Sequence, residues 1–179
     1  MRFKEILRWN ERSEPWRLAV SLAIVLFVTL SGYTIFALAM GSSTPLVVVT
    51  SGSMEQTLYR GDLLAIQKRS EDQIAIDDII VFRADWHPGT PIVHRAVAIY
   101  EDENGGRLFE TKGDNNYAED KGNRTIDDIL GVVIFTILLV GHLSLFLQTD
   151  TSKIIAFAFL ALLLTIPEIY ERMKKRFNR

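Results

Sequence analysis

The chain has 179 residues, room for one domain, with 48 % hydrophobic and 23 % charged residues and a formal net charge of −2. The absence of cysteine excludes disulfides and thiolate chemistry, and three histidines scattered at positions 87, 94 and 142 argue against a zinc site. Such apolar content beside ordinary charge implies segregation, here two basic ends around an acidic middle, and no stretch has the character of a nucleic-acid surface.

Residues 1–17 carry Arg2, Lys4, Arg8, Arg12 and Arg17 against three glutamates, which predicts a cytoplasmic end. Residues 18–40, LAVSLAIVLFVTLSGYTIFALAM, contain no charge and, at a helical rise of about 1.5 Å per residue, are long enough to cross a hydrocarbon core of roughly 30 Å. A transmembrane helix is expected there. Together with Ala37-Leu38-Ala39 it imitates a cleavable secretory signal, but the run exceeds a signal core of about 7 to 15 residues, so an uncleaved anchor is expected.

Residues 41–150 read as an extracytoplasmic or lumenal domain, mainly β. Short apolar runs at 46–50, 63–68, 78–83, 92–100, 107–111 and 129–137 are separated by turn signals, among them Arg60-Gly61-Asp62, His87-Pro88-Gly89 and Asn104-Gly105-Gly106. These predict a small antiparallel β-barrel-like or sandwich domain with one core. Residues 131–147 begin as a β-branched run suited to a strand. They are also apolar enough to raise the alternative of a further span, which would put the basic tail outside, against the usual excess of Lys and Arg on the cytoplasmic side. Residues 151–170 are expected to form a second transmembrane helix, and 171–179, with Arg172, Lys174, Lys175, Arg176 and Arg179, a cytoplasmic tail.

Three segments of the middle domain carry chemistry in combination. In VVVTSGSMEQTLYRGD, Gly52 removes a side chain between Ser51 and Ser53, letting a substrate backbone approach both hydroxyls. Ser53 follows Met40 by thirteen residues, so a fully extended connection keeps it within roughly 45 Å of the end of the first span. In PIVHRAVAIYE, His94 sits in a β-branched run that presents its imidazole on one face of a sheet. TKGDNNYAED brings Asp114 and Asp120 in a turn-rich stretch. Singly each reads as a polar loop, a half-buried histidine or turn-forming aspartates; together they supply the nucleophile, base and carboxylate that acyl transfer by a serine requires.

The ordered motifs V-x-T-S-G-S-M-E, R-G-D-L, I-V-H-R and T-K-G-D-N-N-x-x-x-D resemble those of type I signal peptidases of the endoplasmic-reticulum and archaeal kind, the serine-histidine branch of peptidase family S26. The resemblance extends from the first membrane helix to the L-x-I-P run near Pro167. It implies a membrane-bound endopeptidase in which Ser53 is the nucleophile and His94 the general base, at the place where the common bacterial branch has lysine. It implies further that Asp120 orients His94, that Ser51 with the Ser53 N–H forms the oxyanion hole, and that Asp114 is required for another reason. Implied substrates are secretory precursors with small residues at the first and third positions before the cut. No metal, nucleotide or other cofactor is implied. One departure is Gln56, where the family usually has proline; proline would stiffen the turn after the nucleophile, so a looser turn is expected.

Apolar residues near the motif, Leu46, Val48, Met54, Leu58 and Ile80, read equally as pocket lining or strand core. Two rival readings are a serine-lysine protease using Lys68 or Lys112, and a non-catalytic membrane-anchored β domain that binds exported proteins or a translocation partner. Expected partners are signal-peptide-bearing precursors, membrane lipid, and translocon or accessory subunits. The expected location is the cell membrane of a prokaryote in preference to the endoplasmic reticulum.

Overall fold

A computed structural model of the protein describes residues 13–148, 152–155 and 158. Apart from those last five helical positions, the second spanning helix expected at 151–170 and the tail at 171–179 lie outside the described residues. The chain divides into two units, residues 1–45 and 46–179.

The first unit is a single helix, α1, Glu14–Met40, of 27 residues. It begins four residues before the expected boundary, because Glu14 and Pro15 suit a first turn, where a free N–H is not needed and a negative charge meets the positive end of the dipole. It ends at Gly41, whose left-handed φ of 62° lets the chain turn back while the N–H groups of Gly41 and Ser42 bond the carbonyls of Leu38 and Ala37. Its apolar side chains point out all round: Leu22, Phe27 and Ile35 are exposed and none is buried. Among the described residues it is the one helix long and apolar enough to cross a membrane.

The second unit is built on six antiparallel strands: β1 Leu46–Val48, β2 Leu63–Gln67, β3 Ile79–Phe82, β4 Ile92–Glu101, β5 Arg107–Lys112 and β6 Ile129–Ile137. Their spatial order is β1-β2-β6-β3-β4-β5. All six coincide with the apolar runs of the sequence, but the sheet is open and the barrel expectation is corrected. The two end strands, β1 and β5, do not pair with each other; β1 has three residues, too few to close a barrel, and β5 is instead covered by a bridge from Phe109 to Arg124. Register shifts at Ala65/Ile66, Val81/Phe82 and Ala96/Ala98 mark irregularities of the kind that bend a sheet without closing it.

Period-two alternation buries both faces of the central strands. Ile80 and Phe82 join Ile74, Phe109, Ile129 and Val132 in one cluster, while Val81 joins Leu64, Ile66, Met54 and Leu58 in the other. Met54, Leu58 and Ile80, which the sequence left open between pocket and core, are therefore core residues, whereas Leu46 is exposed and Val48 half-buried. The run 131–147 is not one helix. Strand β6 stops at Ile137, the chain turns with Leu139 at a positive φ of 63°, and a short helix α2, His142–Leu147, follows.

Candidate active site

The second core cluster explains the position of Ser53. Val49 leaves β1 into a buried site, Met54 is buried at 1 % exposure, and Leu58 follows at one helical turn, so the intervening residues are forced into a tight polar turn with Ser51 and Ser53 on its outside. Bonds from Glu55 N–H to the Gly52 carbonyl and from Leu58 N–H to the Met54 carbonyl close it. Gln56 adopts φ of 87°, a value proline cannot reach with its ring-fixed φ near −65°. The expected loosening is thus replaced by a different finding: this turn is built on a backbone conformation that excludes proline.

His94 lies on β4 directly opposite Ile80 on β3, beside the edge of the Phe82 ring at 6.3 Å between centroids. Its side chain and that of Asp120 are each 6 % exposed. The imidazole joins the three segments: Nε2 is 2.9 Å from the Ser53 Oγ and Nδ1 is 2.5 Å from the Asp120 Oδ2. The same Asp120 oxygen accepts a bond from the Thr111 hydroxyl at 2.7 Å. An acceptor carboxylate at Nδ1 places the proton there and leaves Nε2 free to accept from the serine, the arrangement general-base chemistry needs. Ser51 Oγ stands 3.2 Å from Ser53 Oγ.

Asp114 faces elsewhere. Arg95, the neighbour of His94 on the opposite side of β4, grips it bidentately, Nε to Oδ1 at 2.9 Å and Nη2 to Oδ2 at 2.6 Å, while the Thr57 hydroxyl adds a bond at 2.5 Å. The Arg95 hydrogen bonds hold the Asp114 carboxyl below the usual carboxylate range, against partial burial, and the pairing raises the guanidinium in return. The next residue clamps the serine turn, with Asn115 N–H donating to the Ser53 carbonyl at 2.8 Å and its side-chain amide to the Gly52 carbonyl at 3.1 Å. Gly113 permits this closeness: a Cβ there would stand 2.6 Å from the Ser53 carbonyl oxygen and 2.9 Å from His94 Nε2. Arg95, Thr57, Thr111, Gly113 and Asn115 were not singled out by the sequence, although four of them sit inside the I-V-H-R and T-K-G-D-N-N motifs.

A cleft of about 860 Å³ opens over Ser53 and His94, walled by Val48, Trp86, Ile92, Asn116 and Tyr117 among others. No group of acidic or histidine side chains able to hold a metal occurs among the described residues.

Residues 17–103, which include Ser53 and His94, match the family model described as signal peptidase, peptidase S26. The chain is 37 % identical over 120 residues to the human signal peptidase complex catalytic subunit SEC11C, covering 67 % of this chain and 62 % of that protein. It is 42 % identical over 99 residues to the signal peptidase complex catalytic subunit SEC11 of Eremothecium gossypii, covering 53 % of this chain and 58 % of that one. The chain thus spans less than two thirds of the length of these relatives. Being mammalian and fungal, they lend no support to the expectation of a prokaryotic cell membrane.

Proposed function

We propose, for a chain that belongs to the peptidase S26 family of signal peptidases, that it is a membrane-anchored serine endopeptidase removing signal peptides from exported precursors. The observation that carries this reading is the single imidazole of His94 in contact with both Ser53 Oγ and Asp120 Oδ2. In the proposed mechanism Ser53 Oγ attacks the carbonyl carbon of the scissile bond while its proton passes to His94 Nε2. The Ser51 hydroxyl and the Ser53 N–H stabilise the oxyanion. His94 then gives its proton to the departing amine, leaving the signal peptide esterified to Ser53. A water deprotonated by His94 attacks the ester, and the proton returns to Ser53 as the carboxylic acid leaves. Asp120 holds the tautomer and balances the imidazolium; Asp114 works through Arg95, Thr57 and the clamped serine turn as a positioning residue.

Helix α1 anchors the enzyme, with residues 1–17 on the cytoplasmic side and the β domain on the opposite side. Residues 151–170 cross back and leave the basic tail 171–179 in the cytoplasm. Accessory subunits are expected, since the relatives are named as subunits of a complex. The test uses the purified full chain in detergent with a signal-bearing precursor. Cleavage after a small residue is expected, abolished by His94→Ala and preserved in Lys112→Ala; the reverse pattern would favour a serine-lysine enzyme.

A further inference from the structure

Among the described residues, two buried charged side chains outside the Ser53, His94 and Asp120 contacts have no ion-pair partner: Asp62, which accepts the N–H groups of Tyr59 and Leu139, and Arg124. Arg124, 7 % exposed, lies in the connection from β5 to β6, four residues after Asp120. Its backbone exchanges two bonds of 2.8 Å with Phe109 and so covers the free edge of β5. Its guanidinium Nη2 donates to the carbonyls of Lys121 and, at 2.6 Å, Gly122, the two residues directly after Asp120. Its Cζ stands 5.3 Å from the centroid of the Phe82 ring, the ring whose neighbour is His94. Nε is buried with no hydrogen-bond partner, and among the described residues no carboxylate lies within ion-pair distance.

Removing a guanidinium from water without a carboxylate carries a desolvation cost that two carbonyls and an aromatic face offset only in part. If filling space were the whole role, methionine or leucine would serve without that cost. What arginine adds is a planar fork that binds successive carbonyls while lying on a ring. The two parts it joins are the loop that carries Asp120 and the wall behind His94.

We propose that Arg124 is a positioning residue that fixes Asp120 against His94, an inference that rests on the catalytic reading of Ser53, His94 and Asp120. Thr111 holds Asp120 from the strand side, its carbonyl accepting the Asp120 N–H at 2.8 Å and its hydroxyl donating to Oδ2. Arg124 holds the chain on the other side, where Gly122, at φ of 70°, would otherwise leave the loop free to drift. A hydrogen bond at Nδ1 depends steeply on alignment, so a small displacement of the loop separates acid from base.

The test compares wild type, Arg124→Met and Arg124→Lys as full chains in detergent. Two readings are taken: kcat and KM on a signal-bearing precursor, and the low-field proton resonance of the His94–Asp120 bond. For Arg124→Met the expectation is a loss in kcat of about 10- to 100-fold, the scale of an ångström-sized misplacement, with KM within about twofold and the resonance shifted or broadened. Arg124→Lys, which keeps a donor, is expected to fall between. If kcat or the resonance stays at its wild-type value, a fall in thermal stability alone marks Arg124 as structural and overturns the proposal. Should Arg124→Met fail to fold, the same two readings on Arg124→Lys decide. A wild type that cleaves nothing overturns the catalytic reading instead, and the resonance still reports whether Arg124 holds Asp120.

Discussion

Asp114 and Asp120 are six residues apart in one loop, yet they meet different basic side chains. Asp120 meets His94, and Asp114 meets Arg95. The sequence named both aspartates without separating their roles from the residues themselves, because short carboxylates in a turn-rich stretch look alike until strand β4 is seen to send adjacent side chains in opposite directions. The Asp114 pairing makes a pH prediction. A carboxyl whose folded pKa is lowered stabilises the fold fully above its ordinary value of about 3.9, and the contribution is lost as pH falls through the lower folded value. The thermal midpoint of wild type should therefore exceed that of Asp114→Asn at neutral pH and converge with it in strong acid; a constant difference would contradict the account. Gly113 makes a steric one: Gly113→Ala places a methyl against the Ser53 carbonyl and His94, and precursor cleavage should drop at least about 10-fold as the serine turn is pushed away. At Gln56, glycine should be tolerated and proline not, because the positive φ suits the first and is closed to the second. Chemical unfolding of the two variants checks the order.

Strands were legible because each carries its own signal: a β-branched or apolar run bounded by glycine, proline or asparagine. Their arrangement was not. The pairings of β6 with β2 and β3 join residues some fifty or more positions apart, and no local pattern tells an open sheet from a closed one. The same limit hid α2, since an apolar run that turns at Leu139 reads like one that continues. Asp62 shows what holds that end together. Nearly inaccessible at 1 % exposure, it accepts the N–H of Tyr59 at 2.9 Å and of Leu139 at 3.1 Å, tying the serine segment to the end of β6. Asp62→Ala removes the buried acceptor of the part-buried Tyr59 and Leu139 N–H groups and should cost about 1 kcal/mol or more, with Asp62→Asn losing less. Unfolding in denaturant measures the difference, and an unchanged midpoint would show that the tie is dispensable. Arg124 escaped the sequence for a related reason: an arginine in a polar loop looks solvated, and its burial depends on Phe82, more than forty residues earlier.

At the scale of the whole chain, the proposed topology rests on two basic ends, one apolar helix among the described residues and the second crossing proposed for 151–170. An epitope placed after Arg179 should be open to protease on the cytoplasmic face of sealed membranes; exposure on the side of the β domain would mean that residues 151–170 do not cross. Under the proposed function the β domain must meet signal peptides at the membrane, and five residues separate Met40, the end of α1, from Leu46, the start of β1. Everything proposed about activity depends on one hydroxyl. Purified wild type and Ser53→Ala, assayed side by side on a signal-bearing precursor, should differ by at least about 10³-fold, the scale on which removing a serine nucleophile acts. Equal cleavage by the two proteins would contradict the account at its centre.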